Sequence, residues 1–163
     1  MRDRGSAMKR WASALSLTLL LMSAALLASM MSVATVNAST TGQISIAGDV
    51  ELASQAAENG WPGDGTWSNP YTISDIIISD PTNGQGITVS GTSKHLIIEN
   101  CTISGTSSYA IDVTGASNVT VRDSAVGACF SAVFMYNSRN CTITNNTITS
   151  CQTGILLISS SDI

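Results

Sequence analysis

A repeat of about twenty-two residues begins near Pro70 and is still running at Ile163. Written as rungs, it reads Tyr71-x-Ile73-x-x-Ile76-x-Ile78, Leu96-x-Ile98-x-x-Cys101-x-Ile103, Val119-x-Val121-x-x-Ser124-x-Val126 and Cys141-x-Ile143-x-x-Asn146-x-Ile148. Each rung adds a second apolar pair: Ile87 and Val89, Ile111 and Val113, Val133 and Met135, Ile155 and Leu157. Apolar residues two apart mark short strands with one buried face, and the Gly, Asn and Ser between them mark turns. Repeated at one step, such units predict an all-β fold, a parallel solenoid whose coils bury their apolar faces against one another. The inward columns are expected to be Ile73, Ile98, Val121, Ile143 and Ile78, Ile103, Val126, Ile148, nearly all β-branched as stacked strands prefer. A third column, Ile76, Cys101, Ser124, Asn146, grows more polar along the chain, and Asn146 is expected to begin an internal amide ladder at a bend.

Two segments precede the repeat. Arg2, Arg4, Lys9 and Arg10, the apolar stretch from Ala12 to about Met31, and the small-residue exit Val36-Asn37-Ala38 give residues 1–38 the order of a secretory signal. The stretch is also long enough to serve as an uncleaved anchor, which would be the only contact with a membrane. Residues 39–70 form a different unit. Gln43-Ile44-Ser45-Ile46 alternates like a strand, and Asp49 precedes Val50, Leu52, Ala53, Ala56 and Ala57, spaced for a short helix with an Asp N-cap. A loop rich in Gly, Pro and Trp runs from Gly60 to Pro70. Strand, helix and loop together suit a cap over the first coil of residues 71–163. The final rung stops part-way, which is the expectation for a solenoid whose further coils lie downstream.

Charge narrows the partners. Beyond residue 38, Lys94, Arg122 and Arg139 face ten carboxylates, a net of −7. Three scattered cations cannot form the basic footprint that a phosphate backbone requires, so nucleic acid is excluded as an expected partner. Polysaccharides, cell-surface glycans and cations remain.

The phrases Asn118-Val-Thr-Val, Asn140-Cys-Thr-Ile-Thr-Asn-Asn146-Thr-Ile and Gly154-Ile-Leu-Leu resemble the right-handed parallel β-helix repeats of the pectate-lyase-like superfamily. Within it they are most similar to the group holding the NosD periplasmic proteins and the carbohydrate-binding and sugar-hydrolysis domains. Gly63-Asp-Gly-Thr66 with Asn69-Pro-Tyr71 resembles the lead-in to such repeats in secreted archaeal proteins. The resemblance implies a right-handed coil, in keeping with the general bias of parallel crossovers. It says little about activity, because lyases, hydrolases and inert surface proteins share these repeats.

A polysaccharide hydrolase needs two carboxylates on either side of a sugar. Asp112 and Asp123 sit one bend apart, and Asp75 and Asp123 share an outer column. However, the Asn-Thr-Asp, Asp-Asp, His-Gly and Arg-Ile-Lys phrases of the resembling hydrolases do not occur. A lyase would need a calcium cluster and a base, for which the column Asp75, Asn100, Asp123, Asn145 with Arg122 beside it is the nearest approach. The same column reads more simply as turn residues that tolerate left-handed backbone. Glu99 and Arg122 stack as an exposed ion pair worth little. Copper, suggested by the NosD likeness, lacks ligands: His95 is the single histidine, and five of six methionines precede residue 38. No metal site or cofactor is expected, calcium being the one candidate.

Cys129 and Cys151 lie one repeat apart at the same bend and are the disulfide candidates, whereas Cys101 and Cys141 take inward columns as small buried hydrophobes. Asn100, Asn118, Asn140 and Asn145 each open a glycosylation triplet, a pattern that also arises wherever a turn Asn precedes a strand Thr. Outward-facing Phe134, Tyr136, Leu156 and Ile158 lie on two neighbouring coils of one face, where aromatics can stack on sugar rings or be covered by other chain. Trp61 and Trp67 are a second candidate stacking pair, or anchors of the cap on the first rung. The expected function is a secreted or cell-surface β-helix module for surface, adhesion or carbohydrate-binding roles, without a complete active site in this stretch. The alternatives are the N-terminal part of a secreted polysaccharide lyase or hydrolase, and a NosD-like periplasmic accessory protein.

Overall fold

The computed structural model describes residues 39–40 and 42–163; the expected secretory segment, 1–38, lies outside the described residues. The strands are β1 (Ser39–Thr40), β2 (Ile44–Ala47), β3 (Tyr71–Ser74), β4 (Ile76–Ser79), β5 (Ile87–Ser90), β6 (Leu96–Glu99), β7 (Thr102–Ser104), β8 (Tyr109–Thr114), β9 (Val119–Arg122), β10 (Ala125–Gly127), β11 (Ser131–Tyr136), β12 (Thr142–Thr144), β13 (Thr147–Thr149) and β14 (Thr153–Ile158). One helix, α1 (Gly48–Asn59), follows β2. All pairings between these strands are parallel and build three sheets. The first sheet runs β1-β4-β7-β10-β13, the second β2-β5-β8-β11-β14 and the third β3-β6-β9-β12. The chain is therefore a β-solenoid of about four turns with coils of about 23 residues.

Register follows the apolar columns. Ile73 pairs with Ile98, Ile98 with Val121 and Val121 with Ile143, while Ile78, Ile103, Val126 and Ile148 form the parallel column of the first sheet. Ile87, Ile111, Val133 and Ile155 stack in the second. Ile73, Ile78, Ile87, Ile98, Ile103 and Ile111 are fully enclosed. Burying each such side chain contributes roughly 1.5–3 kcal/mol, so the column is the main source of cohesion between coils. On the last coil nothing described lies above the column, and Ile155 and Leu157 are 46% and 45% exposed.

The corners are made by single residues in left-handed conformation. Asp75, Asn100, Asp123 and Asn145 take φ of 58, 52, 51 and 56° between the third and first sheets. Asn118, Asn140 and Asp162 do the same at the entry to the third. Asn and Asp accept this geometry at lower cost than other side chains, which explains their recurrence once per coil.

Inside the bends, a side chain of one coil satisfies the backbone of the coil before it. Asn146 Oδ1 accepts the Ser124 N–H at 3.0 Å, and its Nδ2 donates to Val121 O at 2.9 Å. Ser124 Oγ in turn accepts the Cys101 N–H at 3.1 Å. A second ladder repeats the device: Ser160 Oγ accepts the Ser138 N–H, and Ser138 Oγ accepts that of Ala116. The internal polar column thus passes from Ser124 to Asn146, and the parallel ladder is built from Ser138 and Ser160.

β2 covers the edge of the second sheet as its first strand, with Ile44 and Ile46 opposite Ile87 and Val89. Two expectations for the helix are corrected. The N-cap of α1 is Ala47, whose N–H donates to Glu51 Oε2, and not Asp49. Only Leu52 and Ala56 are buried; Val50, Ala53 and Ala57 face outward. Asp49 instead receives Thr92 Oγ1 at 2.7 Å, the Ser93 N–H at 2.7 Å and Ser93 Oγ at 2.8 Å. The Thr92 hydroxyl foremost, with the Ser93 groups, holds its pKa down at about 2. These donors lie more than forty residues away in the chain, so a local capping rule could not anticipate them. In the loop that follows, Gly63 takes φ 106°, and a Cβ there would strike Pro70 O.

Candidate functional site

The outer face of the second sheet carries the most distinctive surface. β8 and β11 are its longest strands together with β14, and their register sets Phe134 opposite Asp112 and Tyr136 opposite Thr114. On the next coil Phe134 meets Leu156 and Tyr136 meets Ile158. Tyr109, at the start of β8, stacks on Phe134 with ring centroids 4.3 Å apart and planes 12° from parallel. Phe134 and Tyr136 are again near-parallel, 14° apart at 6.4 Å, and Phe130 meets the edge of Tyr109. Four aromatic rings therefore form one strip. Phe130 and Tyr136 are 43% and 45% exposed, so the strip is open to solvent. Rings fixed on a sheet lose little entropy on contact with a ligand.

Asp112 lies in the same outward row, between Thr88 and Phe134. It is nevertheless buried, at 9% exposure. Thr114 Oγ1 donates to its Oδ1 at 2.8 Å. Burial pushes its pKa above the usual carboxylate range, with the Thr114 bond opposing. Thr88 Oγ1, across the register, is enclosed and without a hydrogen-bond partner.

The other sequence candidates are scattered. Trp61 is half-buried against the core, as an anchor would be, whereas Trp67 is 82% exposed beside a shallow groove lined by His95, Ile97, Asn118 and Thr120. The two tryptophans do not form a joint platform with the aromatic strip. Asp75, Asn100, Asp123 and Asn145 line one corner, where Asn145 Nδ2 donates to Asp123 Oδ1 and Arg122 pairs with Glu99 and Asp123. Among the described residues no group of three or more His, Cys, Asp or Glu side chains is placed to hold a metal ion. The Asn118 amide donates to Ser93 O and that of Asn140 to Asn118, which occupies two of the glycosylation triplets in a ladder. Cys129 and Cys151 are joined by a disulfide at the bend before β11 and β14, with Cα atoms 4.6 Å apart. Cys101 and Cys141 are buried thiols, their pKa values raised by desolvation.

Sequence reading identified Phe134, Tyr136, Leu156 and Ile158 as one face but missed Tyr109 and Phe130. Tyr109 is the first residue of β8 and shares a register row with Ser131 and Thr153, whereas Phe130 lies in the bend just before β11 and shares the parity of Phe134 and Tyr136.

Parallel coils with a flat, regular outer face define a β-helix suited to a surface or binding role. Residues 36–163 match the family described as right handed beta helix region, and the chain belongs to it. No curated protein and no solved structure matches the chain.

Proposed function

We propose that the protein is an extracellular or cell-surface glycan-binding module, and that saccharide is held on the outer face of the second sheet by the strip Phe130, Tyr109, Phe134 and Tyr136. The observation that carries this reading is the run of near-parallel, solvent-open rings fixed on two adjacent coils. Aromatic side chains offer an apolar face to the C–H groups of a pyranose, and Tyr adds a hydroxyl for its oxygens. Leu156 and Ile158 extend the apolar floor by one coil. A strip running along and across the strands suits an extended chain better than a single sugar. Glycan-array and titration measurements test the reading. Binding is expected for wild type, to fall about tenfold in either Phe134→Ala or Tyr136→Ala, and to vanish in the double variant, each ring supplying about 1.4 kcal/mol. Both side chains lie outside the core, so folding is preserved. Absence of any glycan ligand, or unchanged binding by the double variant, would refute it.

A further inference from the structure

Carboxylates enclosed by a fold are normally paired with a cation or surrounded by donors, because an ionised group loses its hydration on burial. Asp112 has neither. Its single hydrogen bond among the described residues comes from Thr114 Oγ1 to Oδ1, leaving Oδ2 without a donor from the protein. The ion pairs among the described residues belong to Arg122, on another sheet. Directly across the register, Thr88 Oγ1 also lacks a partner. Two under-used polar groups therefore stand side by side on an outer face, and the opposite neighbour of Asp112 is Phe134.

Resting on the glycan-binding reading above, we infer that Asp112 is the specificity determinant of the strip, accepting a hydroxyl of a neutral hexopyranose chain stacked on Phe134 and rejecting uronate chains. A sugar hydroxyl supplies the donor that Asp112 Oδ2 lacks, while Thr88 Oγ1 is enclosed and out of a ligand's reach. A uronate would bring its own carboxylate against a partly desolvated one, and the two like charges repel. Burial raises the pKa of Asp112, as expected where a charge is held without full compensation. The net excess of carboxylates over the three cations outside residues 1–38 acts in the same direction.

The test is a titration series at neutral pH with an array of neutral hexose oligomers and oligogalacturonates, on wild type, Asp112→Asn and Phe134→Ala. The Asn variant is expected to fold, since it removes a buried charge and its new amide can donate to Thr88 Oγ1; a thermal melt checks this. Wild type should bind neutral oligomers and no oligogalacturonate. Asp112→Asn should bind the same neutral oligomers about tenfold more weakly, as a charged acceptor becomes a neutral one, and should gain measurable oligogalacturonate binding. Phe134→Ala should weaken every ligand. If wild type binds oligogalacturonates as tightly as neutral chains, or if Asp112→Asn leaves the profile unchanged while Phe134→Ala still weakens it, the specificity inference fails and the glycan-binding reading stands. If no protein binds any oligomer, both fail.

Discussion

Breaking the Cys129–Cys151 bridge should loosen the last described coil by a calculable amount. The bridge closes a loop with a sequence separation of 22 and ties the bend before β11 to the bend before β14. In the chain-entropy account, a loop of that length removes about 11 cal/mol/K from the unfolded ensemble, or about 3.4 kcal/mol at room temperature. The last described coil gains most from it, because among the described residues Ile155 and Leu157 are half-exposed and β12, β13 and β14 are paired on one side only. Urea denaturation of oxidised wild type, reduced wild type and Cys129→Ser/Cys151→Ser measures the effect. With an m-value of about 2 kcal/mol/M, the midpoint should fall by about 1.7 M in both the reduced protein and the double variant. Hydrogen exchange should show β14 amides losing protection first, ahead of those in β6 and β9. Reduced and oxidised proteins agreeing within about 0.5 kcal/mol, against the roughly 3 kcal/mol expected for such a loop, would refute the reasoning. So would protection lost first in β2 and β5.

Two further outcomes follow from the internal hydrogen bonds. Ser124→Ala removes the acceptor of the Cys101 N–H inside a closed bend and should destabilise the fold by about 1–3 kcal/mol in urea titrations, well beyond an exposed Ser→Ala change. Asp49 has a folded pKa of about 2 against an ordinary 3.8, so its contribution is complete above pH 3.8 and is lost as pH falls through 2. Asp49→Asn should therefore lower stability by about 1 kcal/mol at neutral pH, a low figure for charged hydrogen bonds because the group is partly in water, and approach wild type only below the folded pKa of about 2 in thermal melts.

The coils were legible because every stacked position carries the same physical demand. An inward site on a parallel strand takes Ile or Val, a left-handed corner takes Asn, Asp or Gly, and both recur at the coil step, so Ile73, Ile98, Val121 and Ile143 declare their register unaided. The cap was less legible. Asp49 looks like an N-cap from its neighbours alone, and the Thr92 and Ser93 donors that claim it belong to a bend reached only after a full coil. Parity along β8 points Asp112 away from the core but does not reveal its burial, which depends on side chains from adjacent coils. Tyr109 escaped because it falls on the inward parity of β8, and Phe130 because it lies in the bend before β11. The face was therefore half visible: two rings from the pattern, and two from the way the coils stack.

The central claim is that saccharide lies on the rings of the second sheet. Intermolecular nuclear Overhauser contacts between a bound neutral oligosaccharide and the protein's aromatic protons test it most directly. Contacts from sugar C–H protons to Phe134 and Tyr136, with weaker ones to Tyr109 and Phe130, are predicted. Contacts confined to Trp67 and His95 beside the third sheet, with none to Phe134 or Tyr136, would contradict it.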